Sequence, residues 1–117
     1  TYVDDIAESV IRVLDRPATP DPKWCSDEPR PSTSTAPYRV YNIGNSQPVE
    51  LLYLIQLLEH HLGVKAELNL LPMQPGDVVD TIADVADLEQ TINFAPATPI
   101  EDGVARYIAW YRGYYNR

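Results

Sequence analysis

Leu71-Pro72-Met73-Gln74-Pro75-Gly76-Asp77-Val78 places backbone-shaping residues, an amide and a carboxylate together between two apolar runs. Pro72 and Pro75 fix φ and remove two backbone donors, and Gly76 admits a conformation or a close backbone approach that a Cβ would resist. The loop is therefore stiff. From it Gln74 and Asp77 project a planar amide and an acceptor-only carboxylate, groups suited to sugar hydroxyls or a ribose. Taken alone, the stretch is explained more simply as a tight turn between two strands.

Upstream of the loop, Val64, Ala66, Leu68 and Leu70 alternate with Lys65, Glu67 and Asn69, the pattern of a half-buried strand running to Leu71. Before it, Val49 to Leu62 carries Leu51, Leu52, Leu54, Ile55, Leu57, Leu58 and Leu62, too many apolar residues for one helix face, so the helix is expected to be buried on more than one side. Gly63 sits where its C-cap belongs. Tyr38-Arg39-Val40-Tyr41-Asn42-Ile43 is rich in β-formers and is closed by Gly44-Asn45-Ser46, which reads as the clearest strand. Residues 16–37 hold six of the eleven prolines and no hydrophobic period, so they read as a long Pro-rich surface loop or a disordered insertion, which Trp24 could pin down. At the start, Asp5 and Glu8 have capping-box spacing, and Ile6, Val10, Val13 and Leu14 predict a helix from Asp5 to Asp15, ended by Pro17.

Downstream, Val78 to Ile82 reads as a short strand, and Asp84 caps a helix with Val85, Leu88 and Ile92 on one face. Thr98-Pro99-Ile100-Glu101 has the form of an N-cap, a first-turn proline and a capping-box Glu. A last helix follows that buries Ile100, Val104, Tyr107, Ile108 and Tyr111. The expected class is α+β, about four helices with a few short strands, in one domain spanning 1–117.

With 17 Asp and Glu against 9 Lys and Arg, the chain lacks the basic surface that a nucleic-acid backbone requires. Cys25 is alone, so neither an intrachain disulfide nor a cysteine metal cluster is available, in keeping with a reducing compartment. No run approaches a membrane span, and the chain reads as soluble and cytoplasmic, with no membrane partner. Thr1-Tyr2-Val3-Asp4-Asp5 lacks a Met and already looks structured, as in a piece of a longer protein.

Candidate chemistry is sparse. His60 and His61 are adjacent on a helix, point in different directions and suit a helix C-terminus better than a shared metal. Asp4 and Asp5 are explained by capping, and the tyrosines at 107, 111, 114 and 115 with Trp110 by packing on an amphipathic helix. The five glycines at 44, 63, 76, 103 and 113 include no pair two apart, so no Gly-x-Gly-x-x-Gly dinucleotide fingerprint exists. No Tyr is followed four residues later by Lys. No catalytic, cofactor-binding or metal-ligating residue is assigned.

Four segments in this order, Thr1-Tyr2-Val3-Asp4-Asp5-Ile6, Tyr41-Asn42-Ile43-Gly44-Asn45, Leu71 to Val78, and Thr98-Pro99-Ile100-Glu101-Asp102-Gly103, give the chain a family likeness along its whole length. It resembles the C-terminal, substrate-binding part of the NAD-dependent nucleotide-sugar epimerases and dehydratases of the extended short-chain dehydrogenase/reductase superfamily. With the Pro-rich insertion and Pro-Met-Gln-Pro-Gly-Asp-Val, it is most similar to the UDP-glucuronate 4-epimerases. The resemblance implies a Rossmann half that is absent here and that holds NAD and a Tyr-x-x-x-Lys pair. It also implies a reaction in which sugar C4 gives its hydride to NAD and receives it back on the other face. UDP-glucuronate decarboxylases and sugar 4,6-dehydratases of the same superfamily stay open, because the groups that choose the reaction are not in this stretch, and a non-enzymatic α+β interaction module is the reading outside the superfamily.

Residue by residue, the resemblance implies that Asp77 lies near the ribose. Gln74 stands where many relatives have Arg, and since an amide cannot neutralise a diphosphate, either upstream residues supply that charge or Gln74 meets ribose or uracil instead. It places Tyr2 and Val3 at the domain junction near the UDP-sugar. Asn42 is expected to tie turns together. Because the NAD-holding and acid-base groups would lie upstream of Thr1, the piece alone is expected to be inactive. Because the Tyr38 to Ile43 strand, by the resemblance an edge-region strand of the Rossmann sheet, lacks its neighbours, the piece is expected to self-associate or swap strands in the absence of its own Rossmann half.

Overall fold

Four helices form where apolar residues recur at helical spacing: α1 (Val3–Leu14), α2 (Leu51–Leu62), α3 (Ala86–Ile92) and α4 (Ile100–Tyr115). The computed structural model describes residues 1–78 and 81–116. α2 stops on Gly63, at φ 72°, whose N–H bonds the Glu59 carbonyl at 2.9 Å, as the sequence predicts. α3 stops in the same way on Asn93, in the left-handed region at φ 49°. The two predicted capping boxes do not form. α1 begins two residues before Asp5, and neither α1 nor α4 has a side-chain cap.

The helices pack in two pairs, α1 with α3 and α2 with α4, and no other helix pair packs among the described residues. In the first pair Val85, Leu88 and Ile92 are buried, Leu88 completely. On α1, the fully buried Ser9 donates its hydroxyl to the Asp5 carbonyl at 2.7 Å and so leaves no polar group unpaired. Arg12 pairs with Glu8 at 2.6 Å, bonds the Asn93 carbonyl and lies 4.6 Å from the Phe94 ring centre, which holds α1 to the end of α3.

α2 and α4 run parallel: Tyr53 near the start of α2 reaches Glu101 in the first turn of α4, and Arg112 near the end of α4 reaches the Leu62 carbonyl at 3.0 Å. Parallel helices bring like dipole ends together. Glu101 at the two N-termini and Arg112 at the two C-termini place charges of the opposing sign there. Val104 and Ile108 are buried as expected, but Tyr107 is 50% exposed.

The expected α+β class needs correction in its strands, because among the described residues the β-structure is a single antiparallel bridge between Thr33 and Arg39. A strand needs a neighbour to take its backbone groups. Among the described residues the backbone of segment 38–43 pairs with its own preceding loop, with Val40 N–H on the Ser32 carbonyl at 3.0 Å. Segment 64–71 is drawn back onto α2, where Glu59 takes Lys65 at 2.6 Å and the Ala66 N–H at 2.9 Å. These two contacts also hold the Glu59 carboxyl below its ordinary range, Lys65 first. The strand expected over Val78 to Ile82 lies in part outside the described residues.

In the Pro-rich loop 16–37 Trp24 does act as an anchor, donating Nε1–H to the Arg30 carbonyl at 3.3 Å, and Asp21 N–H bonds the Ser34 carbonyl at 2.8 Å. Gly44 marks a close chain crossing: a Cβ there would stand 2.8 Å from the Ala83 Cβ. That methyl is rigidly attached, so the backbone must shift. Gly44→Ala is expected to destabilise the chain by about 1–3 kcal/mol in urea unfolding. Gly113→Ala, with no atom within 4 Å, is expected to be neutral or to stabilise by up to about 1 kcal/mol.

The helix pairs leave much apolar surface uncovered. The expectation that α2 is buried on several sides fails within this chain, since none of its residues is buried. On α1 the apolar Ile6, Val10 and Leu14 are exposed, Leu14 to 75%. The accessible surface is 9369 Å², against about 6,400 Å² for a compact monomer of this mass. The radius of gyration is 18.8 Å, against about 13 Å for a compact chain of this length. None of the described helices is long and apolar enough to cross a membrane.

Candidate functional site

Three of the four signature segments meet in space. Thr98 donates its N–H to Asp5 Oδ2 at 3.0 Å and its hydroxyl to Asp5 Oδ1 at 2.9 Å, so the carboxylate grips the entry to α4 instead of capping α1. Asn45 adds two ties: its N–H bonds Thr1 Oγ1 at 3.1 Å, and its side-chain amide donates to the Thr98 carbonyl at 3.2 Å. Its side-chain oxygen accepts the Gln47 N–H at 3.0 Å. Asn42 donates to the Asp84 carbonyl at 3.2 Å and so ties turns together as expected. The two helix pairs are thus joined through Asp5 of α1 and through polar groups of the segments outside the helices.

Beside this junction lies an open groove of about 1010 Å³ into which the N-terminal ends of α1, α2 and α4 converge. Tyr2 and Val3 line it from one side, Gln47, Glu50, Leu52 and Tyr53 from a second, and Pro99, Ile100 and Glu101 from a third. The ring of Tyr2 lies against α4: a Cβ on Gly103 would lie 3.3 Å from its Cδ2, and the Arg106 guanidinium stands 5.5 Å from the ring centre.

Tyr53 donates its hydroxyl to Glu101 Oε1 at 2.5 Å at the rim. The bond holds the Glu101 carboxyl below its ordinary range and the Tyr53 phenol above its own. A depressed carboxyl contributes stability above its unfolded pKa and loses it as pH falls through the folded one. A raised phenol contributes below its unfolded pKa and loses the contribution as pH rises through the folded one. The stability difference between the wild type and Tyr53→Phe is therefore expected to be flat between about pH 5 and 10 and to shrink at both ends. Thermal melts of the two proteins across pH measure it.

Gln74 and Asp77 are elsewhere. Asp77 N–H bonds the Gln74 carbonyl at 3.1 Å, with Pro75 and Gly76, at φ 98°, in the two central positions. This is a type II turn. Asp77 Oδ2 accepts the Gln74 N–H at 3.3 Å, which closes the turn from the side-chain direction as well. Both residues are exposed and neither lines the groove, so the structure brings Tyr2 and Val3 together but not these two with them. Sequence reading missed the Asp5, Thr98 and Asn45 junction because the spacing that lets a side chain cap its own helix also lets it reach another element. Among the described residues no group of three or more His, Cys, Asp or Glu is placed to hold a metal ion.

No protein-family profile matches the chain. It is 46% identical over 117 residues to "Protein CapI" of Staphylococcus aureus, covering all of this chain and 35% of that protein. It is 39% identical to a "Probable UDP-glucuronate 4-epimerase" of Rhizobium meliloti, again over all of this chain and 35% of the relative. To "UDP-glucuronate 4-epimerase 1" of Arabidopsis thaliana it is 34% identical over 99% of this chain and 26% of the relative. The chain thus spans about a third or less of the length of the relatives it matches, in their C-terminal part.

Proposed function

We infer, for a chain that matches along its whole length the C-terminal part of UDP-glucuronate 4-epimerases, that it is the UDP-sugar-holding part of an NAD-dependent nucleotide-sugar 4-epimerase acting on UDP-glucuronate. The observation that carries this reading is the match itself, over 99–100% of the chain in these relatives. The excess accessible surface supports it, since a chain that folds against a larger body leaves its contact face open when alone. A lone exposed Cys25 suits a cytoplasmic setting.

Within this reading Asp77 accepts ribose hydroxyls, having an oxygen left over from its own turn. Gln74 offers its amide beside it. Tyr2 and Val3 belong to the junction with the remainder of the protein. The chain's own residues do not fit a dinucleotide: Gly63 and Gly76, the glycines with positive φ, sit at a helix C-terminus and in an exposed turn. NAD and the acid-base residues are therefore assigned to the remainder, and no chemical step is assigned to this chain.

In the whole protein, Asp77→Ala is expected to raise KM for UDP-glucuronate about tenfold, as loss of a charged hydrogen bond implies, with kcat little changed. A KM left at the wild-type value removes Asp77 from the substrate site. Calorimetry of the chain alone with UDP-glucuronate is expected to show weak binding or none, and size-exclusion chromatography with light scattering to show self-association. A second reading, a non-catalytic interaction module, is favoured by one feature: on α4 Trp110 and Tyr114 stack at 5.3 Å while 55% and 67% exposed. Whole-protein turnover of UDP-glucuronate rules it out.

A further inference from the structure

The groove at the N-terminal ends of α1, α2 and α4 has a charge pattern that a nucleotide sugar does not match. Among the described residues that line it there is no Lys, Arg or His side chain, and the two charged ones, Glu50 and Glu101, are carboxylates. Three helix N-termini contribute partial positive charge there, but Asp4, Asp5, Glu101 and Asp102 in the first turns of α1 and α4, with Glu50 at the N-cap of α2, more than offset it. The Arg106 guanidinium lies over the Tyr2 ring, and Arg106 is not among the lining residues. A ligand with a diphosphate and a carboxylate would be repelled.

The remaining side chains of the lining are uncharged and mainly apolar, among them Leu52, Leu54, Leu58, Ile100 and Val104, with the exposed rings of Tyr53 and Tyr107. We propose that this groove seats a polypeptide segment carrying an Arg or Lys between apolar side chains, its cation placed between Glu50 and the rim pair of Tyr53 and Glu101. The inference rests on the proposed function to the extent that the segment comes from the remainder of the same whole protein. Charge complementarity selects this occupant over UDP-glucuronate, and the amides of Gln47 and Gln56 offer partners for its backbone.

The test uses the whole protein with the photo-crosslinker p-benzoylphenylalanine in place of Leu52, a groove residue 50% exposed. Mass spectrometry of the crosslinked product is expected to return a peptide of the same protein with Lys or Arg flanked by apolar residues. The yield is expected to be unchanged by millimolar UDP-glucuronate and lowered about two- to fivefold by adding Glu50→Gln, the range of one exposed ion pair. A peptide without a basic residue, a crosslink to a second copy, no peptide crosslink, or a crosslink suppressed by UDP-glucuronate overturns the proposal. Conversion of UDP-glucuronate is assayed on the same preparation without the crosslinker. A mapped crosslink without turnover therefore sinks the epimerase reading and leaves the groove assignment standing, and the converse separates them the other way.

Discussion

Leu88→Ala is expected to undock α1 from α3 at a cost of about 3 kcal/mol. Leu88 is fully buried, and the hydrophobic core described is small, Val85, Leu88, Ile92, Val104 and Ile108, of which the first three belong to this one pair. A cavity in so small a cluster has few neighbours that can collapse into it. Few cores of this size can spare such a loss. Because α2 and α4 pack on each other and not on α1 or α3, the damage is expected to stay local. Hydrogen exchange should lose protection in α1 and α3 and keep it in α2 and α4. Uniform loss across all four helices would show that the two pairs unfold as one unit.

The second large effect is expected at Asp5. Its carboxylate holds both donors of Thr98, and removing it leaves a part-buried N–H and hydroxyl without their partner. Asp5→Ala is expected to cost about 2–3 kcal/mol, the range for bonds to a charged group plus the unpaired donors. Asp5→Asn keeps one acceptor and should lose roughly half of that. The signature is positional: with no helix packing between the pairs, the polar junction is the tie that fails. Amides from Thr98 to Gly103 should exchange faster while α1 keeps its own protection. An unchanged exchange rate at Thr98 would remove the junction from the account.

Much of the helix content is legible in the sequence. Leu88 and Ile92 at helical spacing, Gly63 after a leucine-rich run and the aromatic period of α4 all announce themselves locally. The strands were misjudged for a physical reason: the alternation at Val64 to Leu71 and the β-formers at Tyr38 to Ile43 describe a surface that suits a sheet, and a sheet also needs an adjacent strand. The burial expected for Leu51 to Leu62 likewise depends on surfaces this chain does not supply. At the candidate site, the order of the four segments was readable, and so was the turn chemistry of Pro75 and Gly76. That Asp5 would reach Thr98, and that Gln74 and Asp77 would stand apart from Tyr2 and Val3, depends on contacts between residues distant in sequence, which no local spacing encodes.

On the proposed function, the uncovered apolar face of α1, the leucines of α2 and the aromatic side of α4 would pack against the remainder of the whole protein. That remainder would also bring the dinucleotide site and acid-base residues that the chain lacks. The proposed function requires that the whole protein act on UDP-glucuronate and that residues 1–117 alone do not. Proton NMR of the sugar nucleotides after incubation of the whole protein with UDP-glucuronate and NAD tests it most directly. The account predicts UDP-galacturonate accumulating to equilibrium with the whole protein and unchanged UDP-glucuronate with residues 1–117 alone. A decarboxylated or dehydrated sugar, or no product from the whole protein, would contradict it.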